Sequence, residues 1–405
     1  MVPRGQAVGA PEVRAAGALP LIGFYALYFS TVGIILPFLP AWLRSLGLPG
    51  WQIGLLLALN PAFALVAPPI WGYLADRAGR PDRILSVIAG GAVLGFAPLT
   101  VASDFARVAL ALGAYAFFAS SITTLVDSLA LQRVGLHGGS YARLRLFGSL
   151  GFVASSTAFG LAVDAVDRRA VFVALALMVA YFGWSLTVKA RAASVPEHHP
   201  FSALGLLRRR DLALMLGAAC THWIACAPFH GTFSIHVTAL NLPPWVIGLS
   251  SGMGVLAEVA VMYAYPRAAR RVSPRWVLLA AFLASALRWA GMAAATSPTA
   301  IIALSLLHGM TFGAFYVAAV AFVAQRVPDT LRASGQGLMT SVTFGLGGLF
   351  GYVFAGTAYD WLGGHRLFAV SAAAELLPAL LILLVREPTA RRDNRRPGHR
   401  APLTH

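Results

Sequence analysis

The feature that limits this chain most is a succession of apolar runs, each about 20 residues long, which a water-soluble core has no way to cover. Runs begin near Leu19, Trp51, Ile84, Ala106, Leu144, Ala170, Leu212, Trp245, Trp276, Thr299, Gly335 and Leu367. Twelve crossings of ~20 residues use roughly 240 of the 405 residues and leave about 165 for loops and tails. The expected fold class is therefore all-α integral membrane, with 12 transmembrane helices and short connections. A hydrophobic share of 58% against 11% charged residues excludes an ordinary soluble domain.

In a soluble protein a net charge of +16 would point to nucleic acid, so the position of the charges decides its meaning. With the N-terminus placed in the cytoplasm, 25 of the 31 Lys and Arg residues fall on that side. The opposite loops hold only Arg44, Arg107, Arg168, Arg169 and Arg366, and Arg288 alone lies within a span. The basic charge is thus a topology signal. It places both termini inside a bacterial-type inner (plasma) membrane, in contact with anionic headgroups at the cytoplasmic rim, and gives no role to nucleic acid. The first apolar run has no small-residue cleavage site and reads as an uncleaved span. Cys220 and Cys226 share the seventh span, so no disulfide framework is expected, and no cofactor or phosphate-loop motif is present.

The chain repeats itself. Leu46–Leu55 reads LGLPGWQIGL and Leu240–Leu249 reads LNLPPWVIGL, identical at seven of ten positions with an offset of 194. A second echo pairs Gly160, Ala162, Asp164 and Phe172 with Gly356, Ala358, Asp360 and Phe368. An offset of six spans, an even number, gives two six-helix halves of like orientation, related by a pseudo-two-fold axis along the membrane normal. The expected organisation is a cytoplasmic N-terminal segment (1–18), a first bundle (19–189), a cytoplasmic linker (190–211) carrying Pro196, Glu197, His198, His199 and Pro200, a second bundle (212–385) and a disordered basic tail (386–405). Such a duplication sets a cavity between halves that rocking exposes to either side, the architecture of a secondary transporter.

Between spans 2 and 3 the chain reads GYLADRAGRPDR, from Gly72 to Arg83. Asp76 falls at a helix end, Gly79 permits a reversal, and Arg77, Arg80 and Arg83 face headgroups or helix ends. This stretch resembles the GxxxDRxGRxxR loop of the major facilitator superfamily. The matching second-half loop, PRAARRVSPR, lacks the Asp and Gly. The resemblance implies a gating role in which Asp76 pairs with a neighbouring Arg or the start of span 11 in one conformation only. FYALYFSTVGIILPFLPAWL in span 1, YARLRLFGSLGF in span 5, HGTFSIH in span 7, GVLAE in span 8, LRW in span 9 and HGMTFGAF in span 10 together resemble the phenylpropionate permease family, itself similar to lactose permease-type proton symporters.

An ionisable group at a helix centre costs ~2.5–3.5 kcal/mol on insertion scales, so each invites a functional account. Glu258 and Arg288 fall mid-span on adjacent spans and are expected to pair. The symporter resemblance implies a coupling group of Glu258, Arg288 and His308, and a substrate pair of Asp127 and Arg145, with Phe152 as the stacking aromatic. In the symporter pattern a carboxylate follows the histidine by three positions; here that place holds Thr311, which moves the expected proton site to Glu258. His222, Cys226, His230 and His236 fall within one arc of span 7 and are expected to line the cavity, with His230 as a substrate contact and no metal. Asn60 and Tyr28 complete the candidate substrate-binding set. Ser120, Thr124 and Asp127 form a polar stripe on span 4, prolines 37, 40, 68 and 69 are expected to break or bend spans 1 and 2, and Glu375 has no evident partner.

The function expected from all this is proton-coupled symport of a small organic solute by a monomer, with an aromatic carboxylate such as phenylpropionate as first choice. The alternatives are a sugar or nucleoside symporter, a drug efflux antiporter and, from another class, a membrane sensor or metal-dependent membrane enzyme.

Overall fold

The computed structural model describes residues 15–134, 138–190 and 204–386. The linker residues from Pro196 to Pro200, Arg4, Arg14 and the tail from Arg391 onward lie outside them. The described residues form α1 (Ala15–Ser45), α2 (Gly50–Ala78), α3 (Pro81–Phe96), α4 (Phe105–Arg133), α5 (Gly138–Ala162) and α6 (Arg169–Ser185). The second set is α7 (Arg210–Ala239), α8 (Trp245–Ala268), α9 (Pro274–Ala294), α10 (Pro298–Arg326), α11 (residues 332–362) and α12 (residues 364–383). Ten stretches among the described residues are long and apolar enough to cross a membrane, and the last of them, Asp329–Leu383, is 55 residues long. Gly363, at φ 69° and ψ 171°, breaks that stretch into α11 and α12. At 17 residues, α6 spans only ~25 Å.

The prolines do not break their helices as expected. Pro20, Pro37 and Pro40 sit inside α1, and Pro61, Pro68 and Pro69 inside α2. Each proline forfeits one backbone hydrogen bond, which a long helix packed among others tolerates. The interruptions lie elsewhere: a turn at Ser120 and Ser121 divides α4, and single π-helical turns occupy Gly309–Ala314 in α10 and Ser341–Leu346 in α11. Such insertions redirect the side chains beside them and concentrate at functional sites.

The duplicated decapeptides adopt the same turn. Gly47 (φ 81°) and Asn241 (φ 55°) occupy equivalent places, one using glycine and the other the side chain that best tolerates a positive φ. Immediately after these turns the two sequence echoes meet each other. Gly54 of α2 lies against the backbone of Tyr352 and Gly356 of α11, and Gly248 of α8 lies against Ser156 and Gly160 of α5. A Cβ at any of these glycines would enter the neighbouring backbone, so the halves touch here at main-chain distance.

Contacts between the halves run from this far end, where Arg44 meets Asp360, to mid-span, where Leu65 meets Gly345. Toward the other end, at which the described chain begins and finishes, polar side chains stay wet. Asp127 and Arg145 lie six and seven residues, or roughly 10 Å, inside their helix ends, yet their side chains are 25% and 46% exposed. The far end is closed and the termini end open.

Candidate functional site

Each half contributes one cluster of charges and rings. In the first half, α4 and α5 bring together Asp127 and Arg145, the two residues that the symporter resemblance implied: Arg145 Nη1 donates to Asp127 Oδ2 at 3.0 Å. The Tyr25 hydroxyl on α1 donates to Asp127 Oδ1 at 2.5 Å, and Tyr141 stands 3.5 Å from Arg145 Nη1. The aromatic over the guanidinium is Phe29, 5.6 Å from ring centre to Cζ; Phe152, which the resemblance implied as the aromatic that stacks on the solute, is buried with its backbone against Gly33 of α1. Tyr28 is half-buried and packs on Phe24, Phe29 and Tyr181. Asn60 is exposed and makes no hydrogen bond among the described residues. The α4 stripe is split by the turn at Ser120: Thr124 joins Ser121, Ser128 and Gln132 in a cleft of about 210 Å³ against α2 and Asp76, while Asp127 faces α1 and α5.

The cluster in the second half is a line of three groups. His308 stands between Glu258 and Arg288, so the expected direct Glu258–Arg288 pair is replaced by a bridge. Arg288 Nη1 lies 3.2 Å from His308 Nδ1, and His308 Nε2 lies 3.7 Å from Glu258 Oε2. A guanidinium can only donate, so Nδ1 must offer its lone pair and the proton must sit on Nε2, aimed at Glu258. Arg288 is 1% exposed and clamped between two rings, with Cζ 4.1 Å from the Phe229 centroid and 4.6 Å from that of Trp289. Among the described residues no carboxylate forms an ion pair with it, and its Nε has no hydrogen-bond partner. A buried cation without a counter-ion is costly unless something else supplies the charge. Trp223, His230 and Phe312 extend the aromatic wall: His308 stacks on Phe312 at 5.7 Å, and Trp223 on His230 at 5.2 Å.

The span 7 stripe divides. Of its four members only His230 joins this wall. His236 packs against His365 near the far end, with ring centres 4.8 Å apart. His222 and Cys226 turn into the core of the second half, where Glu375 finds the partner that the sequence did not reveal. His222 Nδ1 is 2.8 Å from Glu375 Oε2, Nε2 is 3.0 Å from the Thr311 carbonyl, and Trp289 Nε1 donates to Glu375 Oε1 at 3.2 Å. His222 and Glu375 are both fully buried. A carbonyl only accepts, so Nε2 carries a proton, and the contact at Nδ1 then requires one more, shared with Glu375. His222, Cys226 and Glu375 place ligand-type atoms within 4.8 Å of one another. However, 2.8 Å is a hydrogen-bond separation, shorter than the ~3.3 Å that two ligands at ~2.0–2.1 Å subtend across a tetrahedral zinc. The geometry fits a shared proton better than a metal.

At the Gly72–Arg83 loop, α2 ends at Ala78 and Gly79 caps it in the left-handed conformation (φ 58°), its N–H bonded to the Asp76 carbonyl. Arg80 pairs with Asp82 at 3.2 Å and Arg77 donates to the Tyr73 hydroxyl at 3.1 Å. Arg83 opens α3, and Gly72 and Asp76 line the cleft described above. Asp76 is exposed and forms no ion pair among the described residues.

Twelve helices among the described residues, in two matched sets that meet at main-chain distance at one end and each carry a cluster of charges and rings, are the architecture of a major facilitator transporter. The sequence profile of the MFS_1-like family matches residues 19–370, and the chain belongs to that family. It is 31% identical over 370 residues to a protein named "Probable 3-phenylpropionic acid transporter" of Escherichia coli (strain K12), covering 88% of this chain and 95% of the relative. It is 28% identical over 390 residues to a maltose permease of Geobacillus stearothermophilus, covering 91% and 94%. Among solved structures, the nucleoside transporter NupG superposes with a TM-score of 0.80 at 16% identity, covering 90% of this chain and 98% of that one; at that identity the likeness speaks for the fold. The protein is thus a multi-pass membrane transporter of small solutes, and its relatives are transporters rather than enzymes.

Proposed function

We propose that this transporter takes up a small organic anion together with a proton, and that an aromatic carboxylate of the phenylpropionate kind is its substrate. The observation that carries this reading is Arg288: a buried guanidinium, clamped by Phe229 and Trp289, that has no carboxylate partner among the described residues and lies beside a wall of rings. A carboxylate would complete the guanidinium fork, while the attached ring would stack on Trp223, Phe312 or His308. The name of the 31%-identical relative points to the same chemistry.

Coupling follows from the bridge. When the substrate carboxylate takes Arg288, the Nδ1 lone pair of His308 loses its donor and becomes free to accept a proton. Nε2–H remains aimed at Glu258, so a proton can pass between imidazole and carboxylate as the anion binds. The basic rim supports a cytoplasmic termini end; on that reading this conformation is open inward and closed outward, and the halves rock as two bodies of one monomer in the inner membrane. Protons and the solute are the only partners required; Lys and Arg at the rim meet anionic headgroups.

The test is uptake into proteoliposomes at two pH values. Glu258→Gln is expected to abolish uphill uptake of phenylpropionate while substrate exchange survives, and equal loss of both would assign Glu258 a structural role. A neutral solute is the second reading, favoured by the paired Asp127 and Arg145 and the Tyr25 hydroxyl, which together offer donors and acceptors suited to sugar or nucleoside hydroxyls. Competition by maltose or a nucleoside, but not by phenylpropionate, would decide for it. Substrate-driven acidification on the opposite side of the vesicle would identify drug efflux by antiport instead.

A further inference from the structure

The two copies of the duplicated far-end crossing carry the same aspartate and treat it differently. In one copy, Asp360 of α11 reaches across to the first half: its Oδ2 accepts the Gly50 N–H at 2.5 Å and its Oδ1 accepts from Arg44 Nη2 at 2.7 Å. Gly50 is the first residue of α2, whose N-cap, Pro49, supplies no side-chain hydrogen bond. Asp360 therefore caps the helix in trans, where the free N–H groups and the helix dipole favour a negative charge. In the other copy the aspartate is Asp164, beyond the end of α5, exposed and without an ion pair or hydrogen bond among the described residues. The duplication offset explains why. The counterpart of Gly50 is Pro244, which has no N–H to give, and the counterpart of Arg44 is Thr238, whose hydroxyl bonds to Ser234 on its own helix. The glycine contacts remain in both copies; the charge-assisted grip remains in one.

We infer that the closed far end is held by a single latch, Asp360 on Gly50 and Arg44, and that its release begins opening on the α2–α11 side while the α5–α8 crossing serves as a sliding contact without a lock. This rests on the reading that the halves rock, but not on the identity of the substrate. It also gives the second duplicated motif a division of labour: Gly356 sets the distance, and Asp360 four residues on supplies the hold.

Hydrogen–deuterium exchange of the full chain in lipid nanodiscs, with no substrate added, tests it. Asp360→Asn and Arg44→Gln are each expected to speed amide exchange at residues 50–57 and 352–360 by roughly tenfold. Exchange should slow at the termini end, at residues 143–147 and 338–343, because a shift toward the opposite conformation opens one end as it closes the other. Asp164→Asn should alter neither. The inference is overturned if Asp164→Asn loosens the far end as much as Asp360→Asn does, or if the far end loosens with no added protection at the termini end, which is local fraying. Because the readout needs no transport, a failed uptake assay and a failed latch are separate results.

Discussion

The two clusters that face the cavity differ in how their charge is met. Asp127 and Arg145 neutralise each other in water-exposed surroundings, with Tyr25 and Tyr141 satisfying what is left. Arg288 is buried in a sandwich of rings with only a neutral imidazole nitrogen against it. A matched pair is complete without a ligand and adjusts to a range of hydroxyls, whereas a desolvated, unmatched cation is complete only when an anion arrives. On the proposed function, the first half would hold the solute and the second would select it.

The contrast breaks first at Arg288. Arg288→Gln is expected to lower kcat/KM for an aromatic carboxylate by ~100-fold or more, and Arg288→Lys should rescue little, since an ammonium cannot fill a planar slot between two rings. Retention of uptake by the Gln variant would remove the selecting role of the second half. The next largest effect is on stability. Glu375→Gln leaves His222 with the wrong partner in a dry core and should cost ~3 kcal/mol or more, seen as a lowered thermal midpoint in detergent, while His222→Phe with Glu375→Leu should recover part of that loss. In the matched pair, Asp127→Asn and Arg145→Gln should each reduce uptake by about tenfold, and the double variant by less than the product, because each single change strands one charge. Additive losses would show that the pair does not act as a unit. The smallest change is expected of Asp76→Asn: bound solute retained and turnover slowed by about threefold, since the carboxylate makes no ion pair in this conformation and matters in the other. Binding by isothermal titration and turnover in vesicles separate the two.

Much of this was legible from the residues. The apolar runs, the duplicated decapeptide and the Gly79 reversal need only helix length and backbone conformation, whereas Asp127 and Arg145 were singled out by the family resemblance. What stayed hidden was direction. In a membrane helix both the lipid face and the protein face are apolar, so the pattern of α1 does not reveal that Tyr25 and Phe29 complete the Asp127 and Arg145 cluster. The same lack of contrast hid the partner of Glu375, which sits 153 positions from His222. It also made Glu258 and Arg288 read as direct partners, because one cannot tell by sequence that His308 stands between them. The π-helical turns of α10 and α11 leave no composition signature, and the one in α10 begins at the residue after His308.

The His222–Glu375 contact has one more consequence. Its hydrogen bonds demand one proton beyond that on Nε2, neither more nor fewer, and both groups are sealed from water. Adding or removing a proton there would leave a hydrogen-bonding group unmatched in a dry core, so the contact ties α7, α9 and α12 into one packed unit.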